Sequence, residues 1–147
     1  MVISRFEDIE SWRGARQLAV EIYGATRQGP FAKDFGLRDQ IRRSCVSIMA
    51  NVAEGFGRNG RIEFIRYLTI AQASVVEVES HLYIALDLGY IGQPAFKSLY
   101  SQANKVRRQI GGFIQYLRGC KDRPQPETRN QKPETSRHTS QSNPLPH

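Results

Sequence analysis

Residues 55–60 read GFGRNG, which has the G-x-G-x-x-G spacing of a dinucleotide-binding loop. That spacing carries chemistry only where a strand enters it and a helix leaves it, because its glycines let a strand-to-helix turn approach a pyrophosphate. Upstream, Leu37, Ile41, Cys45, Ile48, Val52 and Phe56 recur at intervals of three and four, the period of an amphipathic helix. Downstream, Ile65, Leu68, Ala71, Val75, Val78, Leu82 and Ala85 do the same. One helix therefore runs into Gly55 and another leaves Gly60, with no βαβ unit around them. A kinase-type loop fails too, since no lysine-bearing strand follows. GFGRNG reads instead as a corner between two helices, in which Gly55 and Gly57 permit a left-handed turn and Asn59 starts the next helix.

Outward from that corner the same period continues. Trp12, Ala15, Ala19, Ile22 and Thr26 mark a first helix that closes near Gln28-Gly29-Pro30. Gly89 stops the helix that follows the corner. Beyond it, Phe96, Leu99, Ala103, Val106, Ile110, Phe113 and Leu117 alternate steps of three and four without a break, a coiled-coil-type seam. Four long helices, short joints and no strand signal predict an all-α fold, an up-down-up-down four-helix bundle. Gly111-Gly112 either weakens the last helix locally or lets a neighbour pack closely. Tyr67, Ile70, Tyr83, Tyr100 and Ile114 lie off the main apolar faces, so an isolated bundle leaves them partly wet, and a homo-oligomer is expected.

The 147 residues suffice for one domain with a real core, although the hydrophobic fraction of 39% is lean. Two cysteines exclude a disulfide framework; Cys45 sits on an apolar face as a small hydrophobe, and Cys120 at the edge of the folded part is a candidate exposed thiol. Acids interrupt the N-terminal MVISRFEDIESW where a signal peptide needs an apolar core, and no apolar run approaches a membrane span, so a cytoplasmic protein is expected. From Lys121 the composition changes to Pro, Ser, Thr and Gln, with Leu145 its one sizeable aliphatic side chain. The expected division is a bundle over 1–120 and a disordered tail over 121–147.

The bundle offers little catalytic chemistry. Di-iron bundles need a Glu-x-x-His pair on each of two helices, whereas His81 is the one histidine before the tail, with Glu77 a turn upstream. Neither Cys45 nor Ser44, Ser47 and Ser74 has a plausible base besides it. An Arg-x4-6-His ribonuclease motif is missing as well, because no arginine stands at that distance before His81. A non-enzymatic protein without metal or cofactor is the expectation.

The charges say more. The chain carries a net +7 with a pI of about 9.8, which favours an anionic partner. The last helix, from Gln93, holds Lys97, Lys105, Arg107, Arg108 and Arg118 and no acid, whereas an ordinary solvated face mixes signs. Arg42 and Arg43 stand near the start of the second helix, and Arg58 and Arg66 near the corner. A phosphate backbone of RNA or DNA is the natural counterpart, with Tyr100 and Tyr116 as stacking surfaces. The alternative is a scaffold whose basic face meets an acidic partner protein. Around the corner, Asn51 and Glu54 read as structural: Glu54 and Glu63 are placed to pair with neighbouring arginines, and Asn51 to tie backbone between helices.

The run QIRRSCVSIMANVAEGFGRNGRIEFIRYLTIAQASVVEVESHLYIALDLGYI, residues 40–91, resembles the four-helix bundle proteins encoded in intervening sequences of bacterial 23S ribosomal RNA genes. The similarity extends through FEDIESWRGARQLAVEIYGAT, residues 6–26, and FGLRDQIRRS, residues 35–44; its most specific part is Asn-x-Ala-Glu-Gly-x-Gly-Arg, Asn51 to Arg58. Met49 stands where the family often has a proline, so a kink there is not expected from this sequence. The resemblance implies a bundle without catalytic residues. Through the related accessory proteins of diversity-generating retroelements, it also implies a ring-like homopentamer that binds nucleic acid and associates with a reverse transcriptase. Arg42, Arg43, Arg58 and Arg66 match basic positions of the motif.

Overall fold

The computed structural model describes residues 3–120; the expected tail over 121–147 lies outside them. A 3-10 turn, Phe6–Asp8, leads into α1 (Glu10–Thr26), α2 (Gly29–Lys33), α3 (Phe35–Gly57), α4 (Arg61–Asp87) and α5 (Gln93–Gly119). The four long helices pack in a ring, α1 on α3, α3 on α4, α4 on α5 and α5 on α1. Thus α1 lies diagonal to α4, and α3 to α5. The apolar residues at three- and four-residue spacing meet inside: Ala15, Leu18, Ile41, Cys45, Ile48, Val52, Leu68, Val75, Leu82, Ala103 and Ile110 are all fully covered.

The short α2 was not foreseen, because its five residues are too few to show a period. Pro30 sits in its first turn, where its missing N–H is tolerated. Phe31, 1% exposed, plugs the end of the core and its ring lies 5.2 Å from that of Tyr90. Asp34 then caps α3: its Oδ1 accepts from the Leu37 N–H at 3.1 Å, while Oδ2 accepts from the Tyr90 hydroxyl at 2.9 Å. One side chain thereby joins a helix start to the α4–α5 joint across the same end of the bundle. That joint carries a Schellman turn, with Gly89 at φ 71°, the Gly89 N–H bonded to Leu86 O and the Tyr90 N–H to Ala85 O, each at 2.9 Å.

The corner is built differently from the expectation. The left-handed residue is Gly60, at φ 104°, and neither Gly55 nor Gly57 has a positive φ. Gly60, not Asn59, occupies the N-cap of α4. Gly55 is needed for closeness: a Cβ on it would sit 2.6 Å from Tyr67 Cβ and 2.9 Å from Phe64 Cδ2, so α4 crosses α3 directly over its backbone. A Cβ on Gly57 meets nothing within 4 Å. Through Met49 α3 continues as one helix. At the same end, Arg61 Nη1 donates to Leu117 O at 3.1 Å and to Cys120 O, closing the carbonyl end of α5.

Of the residues expected to stay partly wet, Ile70 and Tyr83 are exposed and Tyr67 and Tyr100 half-buried. Ile114 is 4% exposed and belongs to the core, since a straight helix drifts past a strict heptad seam and brings 114 inward after Ile110. The outer side of α4 nevertheless carries exposed Ile62, Ile70, Val76, Tyr83 and Ile84, and exposed Leu88 caps its end.

Candidate nucleic-acid interface

Side chains on α5 advance by about 100° per residue, and its five bases divide accordingly. Lys97, Lys105 and Arg108 lie away from the buried Leu99, Ala103, Val106 and Ile110 and are exposed. None of the three makes an ion pair among the described residues. Arg107 and Arg118 are on the α4 side. Arg107 Nε donates to Glu79 Oε1 at 2.8 Å, and Glu79, 7% exposed, is a charge the core could not hold alone. Arg107 is thus chiefly a structural counter-ion. Arg118 is exposed in the last turn of α5, where a cation complements the helix dipole.

The remaining candidates lie elsewhere. Arg42 and Arg43 belong to α3, diagonal to α5. Arg42 Nε donates to Thr26 Oγ1 at 2.7 Å and its guanidinium stacks 4.6 Å from the Tyr23 ring, which fastens α3 to α1. Arg43 is exposed beside Asp39 and Val46 in a shallow hollow. Arg58 and Arg66 flank Tyr67 at 5.4 and 4.9 Å; Arg58 pairs with Glu54 at 3.0 Å and Arg66 with Glu63 at 3.3 Å. Tyr67 also donates to Glu54 at 3.3 Å. The nine cations therefore do not form one patch. Lys97, Lys105 and Arg108 form one outward stripe, and the others are shared between two ends of the bundle and two of its seams.

Asn51 keeps its amide within α3, donating to Ser47 O at 2.8 Å and to Ser47 Oγ at 3.0 Å. The tie between helices runs through Ser47 itself, whose Oγ lies 3.0 Å from Ser74 Oγ. Glu77 accepts from Ser44 Oγ at 2.9 Å, so it is engaged across the α3–α4 seam. Burial pushes the Cys45 thiol up to about 12, which leaves it protonated and inert at neutral pH. Among the described residues no group of three His, Cys, Asp or Glu is placed to hold a metal ion, and no helix is long and apolar enough to cross a membrane.

The two aromatic candidates also separate. Hydrogen bonding to Glu79 and to Tyr83 pushes Tyr100 up to about 12, and its ring is packed with those of Tyr83 and Phe96. Tyr116 is 61% exposed and lies parallel to Phe113 at 6.2 Å, offering an open ring face on α5. Glu79 was missed from the sequence. Its signal was its place one residue after buried Val78 and four after Val75, on the edge of the apolar stripe.

The family model described as 23S rRNA-intervening sequence protein matches residues 7–112. A crystal structure from Bacteroides thetaiotaomicron, described as a protein with unknown function from the S23 ribosomal protein family, superposes with a TM-score of 0.65 at 26% sequence identity. The superposition covers 71% of this chain and 97% of that one. No curated protein matches the chain. The family match spans α1 through most of α5, including the Gly55 crossing, the Gly60 turn and the Gly89 stop that set the bundle's geometry. The chain belongs to the 23S rRNA-intervening sequence protein family.

Proposed function

We propose that this is a non-enzymatic, cytoplasmic nucleic-acid-binding bundle that contacts RNA or DNA phosphates through the outer stripe of α5. The observation that carries the reading is the set Lys97, Lys105 and Arg108: three exposed cations on one side of a helix that contains no acid, none of them engaged by a carboxylate among the described residues. Long flexible cations of this kind neutralise phosphates without reading bases. Tyr116 supplies a stacking face on the same helix. Arg118 extends the positive potential towards the corner, while Arg107 serves the fold. The exposed apolar side of α4 supports self-association, for which the homopentameric ring implied by the resemblance is the proposed form. A group of exposed large apolar side chains on one helix, here interspersed with Arg66, Glu77 and Asp87, is a common mark of an interaction surface.

The test is fluorescence anisotropy of the full chain with a structured RNA and a duplex DNA over a salt series, with light scattering on the same samples. Three neutralised phosphates give a log–log salt slope of roughly 2.7 on duplex DNA, and the Lys97→Ala, Lys105→Ala, Arg108→Ala triple variant loses that slope together with binding. Absence of binding at low salt sinks the nucleic-acid reading and turns the stripe into a contact for an acidic protein.

A further inference from the structure

The α1–α3 face of the bundle, away from the stripe of α5, carries a second group of cations. Arg42 and Arg43 of α3 line a shallow hollow of about 340 Å³ with Tyr23 of α1, Asp39 and Val46. On α1, Arg16 and Val20 stand seven and three residues before Tyr23 and Arg27 four after it, so all four share one face. Arg16, Arg27 and Arg43 are exposed and Arg42 is half-buried. None of these four arginines has a carboxylate partner among the described residues. Asp39, the one acid lining the hollow, is neutralised by Arg38 at 2.9 Å.

Unlike the stripe of α5, these cations surround apolar surface. Val20 is 61% exposed, Val46 43% and Tyr23 36%. The phosphates of a nucleic acid meet cations but do not cover the aliphatic side chains between them. An aromatic and aliphatic centre rimmed by arginine is instead the make-up of a protein–protein contact, where Tyr and Arg are the residues that carry most binding energy.

The centre of the face is already ordered. Arg42 spends its Nε on Thr26 at 2.7 Å and lies 4.6 Å from the Tyr23 ring, which leaves both Nη groups for a carboxylate and little rotamer freedom to lose on binding. The face is also small. Arg16 to Arg27 covers roughly 16 Å of helix axis at about 1.5 Å per residue, and two packed helices are about 20 Å across, so the area is on the order of 300 Å². A standard interface takes about 800 Å² from each partner. A single helix of about three turns matches this face; a globular surface needs more.

We infer that the α1–α3 face docks an acidic amphipathic helix of a partner protein. The apolar side of that helix lies on Val20, Tyr23 and Val46, and its Asp and Glu side chains meet Arg16 and Arg27 on one flank and Arg42 and Arg43 on the other. Charge complementarity selects the partner and the apolar centre holds it. The site shares no residue with the phosphate reading, which rests on the stripe of α5, and it stands whether or not that reading does.

The test is fluorescence anisotropy of the full chain with the labelled helical peptide Glu-Ala-Leu-Glu-Glu-Leu-Leu-Glu-Ala-Leu-Glu-Glu-Leu-Glu-NH2 at about 0.15 M salt. A peptide of the same composition with its leucines spread around the helix, and a duplex DNA, serve as comparisons. Arg43→Glu and Val46→Gln change exposed side chains on the face, and Arg108→Glu changes the stripe of α5; circular dichroism and the thermal midpoint check that all three fold. The expected result is micromolar binding of the amphipathic peptide, weakened about tenfold by Arg43→Glu and several-fold by Val46→Gln, and within about twofold of the parent for Arg108→Glu. DNA binding by Arg43→Glu stays at the parent level. Absence of peptide binding, equal binding of the rearranged peptide, or a Val46→Gln variant that binds like the parent overturns the proposal. DNA that displaces the peptide and is itself weakened by Arg43→Glu makes the face a nucleic-acid contact, and a fall in molar mass of Val46→Gln by light scattering makes it an interface between copies; either result also overturns it.

Discussion

The α3–α4 seam and the α1–α5 seam join antiparallel helices of one bundle, yet the first is shut and the second open. In the first, Gly55 lets α4 lie against the backbone of α3, and the polar groups that meet there are matched: Ser44 with Glu77 at 2.9 Å, Ser47 with Ser74 at 3.0 Å. In the second, Gly14 allows one close contact, its Cβ position lying 3.0 Å from Val106 Cγ2. Long polar side chains, Glu10, Gln17, Gln102 and Gln109, flank that contact and leave a groove beside it. The cations follow the same division. Around the closed seam Arg58 and Arg66 are paired with carboxylates, whereas Lys105 and Arg108, on the helix that borders the open one, have no such pair among the described residues. Small residues with reciprocal hydrogen bonds close a helix pair; long amphipathic ones hold a space and leave charges for a partner.

The sharpest way to break this comparison is to put a side chain at each seam's glycine. Gly55→Leu forces atoms into Phe64 and Tyr67 and is expected to cost about 3 kcal/mol or more, or to prevent folding. Gly112→Ala, facing the open groove, is expected to gain about 0.5–1 kcal/mol from helix propensity. Denaturant unfolding of both decides the matter, and a stable Gly55→Leu would remove the close approach as the cause of closure. Next in size, Arg107→Ala strands the buried Glu79 and should cost about 2 kcal/mol, while Arg108→Ala should stay within about 0.5 kcal/mol of the parent. Equal losses would mean that Arg108 too is structural.

Hydroxyl deletions give a smaller and opposite pair of effects. Ser47→Ala loses a matched bond and about 1 kcal/mol, whereas Ser11→Ala removes a buried hydroxyl that has no partner among the described residues and should leave stability equal or higher by up to about 1 kcal/mol. A loss at Ser11 would show that its hydroxyl already has a partner. The smallest effect is one of pH. Burial raises Cys45 from 9.0 to about 12, so above pH 9 the unfolded chain releases a proton that the folded chain keeps. The thiol's contribution is complete below about 9 and is lost as pH rises towards 12, by less than about 1 kcal/mol just above pH 9. Cys45→Val should flatten that part of the alkaline stability profile, measured by denaturant midpoints on either side of pH 9.

Much of the fold was legible because helical burial is periodic. Trp12, Ala15, Ala19, Ile22 and Thr26 are all buried, and the residues read as the core stripes of α3, α4 and α5 are buried or packed against the core. Gly89 ends α4 as its position promised. Phe31 was not legible, since five residues are too short for a pattern, and neither was the division of labour at the corner, because a glycine needed for φ and one needed for contact look identical in sequence. For the candidate interface, residue types were legible and groupings were not. Ten residues of separation place Lys97 and Arg107 on different sides of one helix, and Arg107 gains its partner from Glu79, on another helix.

What the sequence determined by itself is a bundle of four long helices, their inner faces, their breaks and an excess of positive charge, all of which follow from local periodicity and composition. The tertiary structure alone decided which helices are neighbours and which diagonal, which arginines are neutralised, and which seam stays open. Those depend on how one helix is rotated and shifted against the next, a quantity set by contacts between residues far apart in the chain, such as Gly55 under Tyr67, Arg107 against Glu79 and Asp34 with Tyr90.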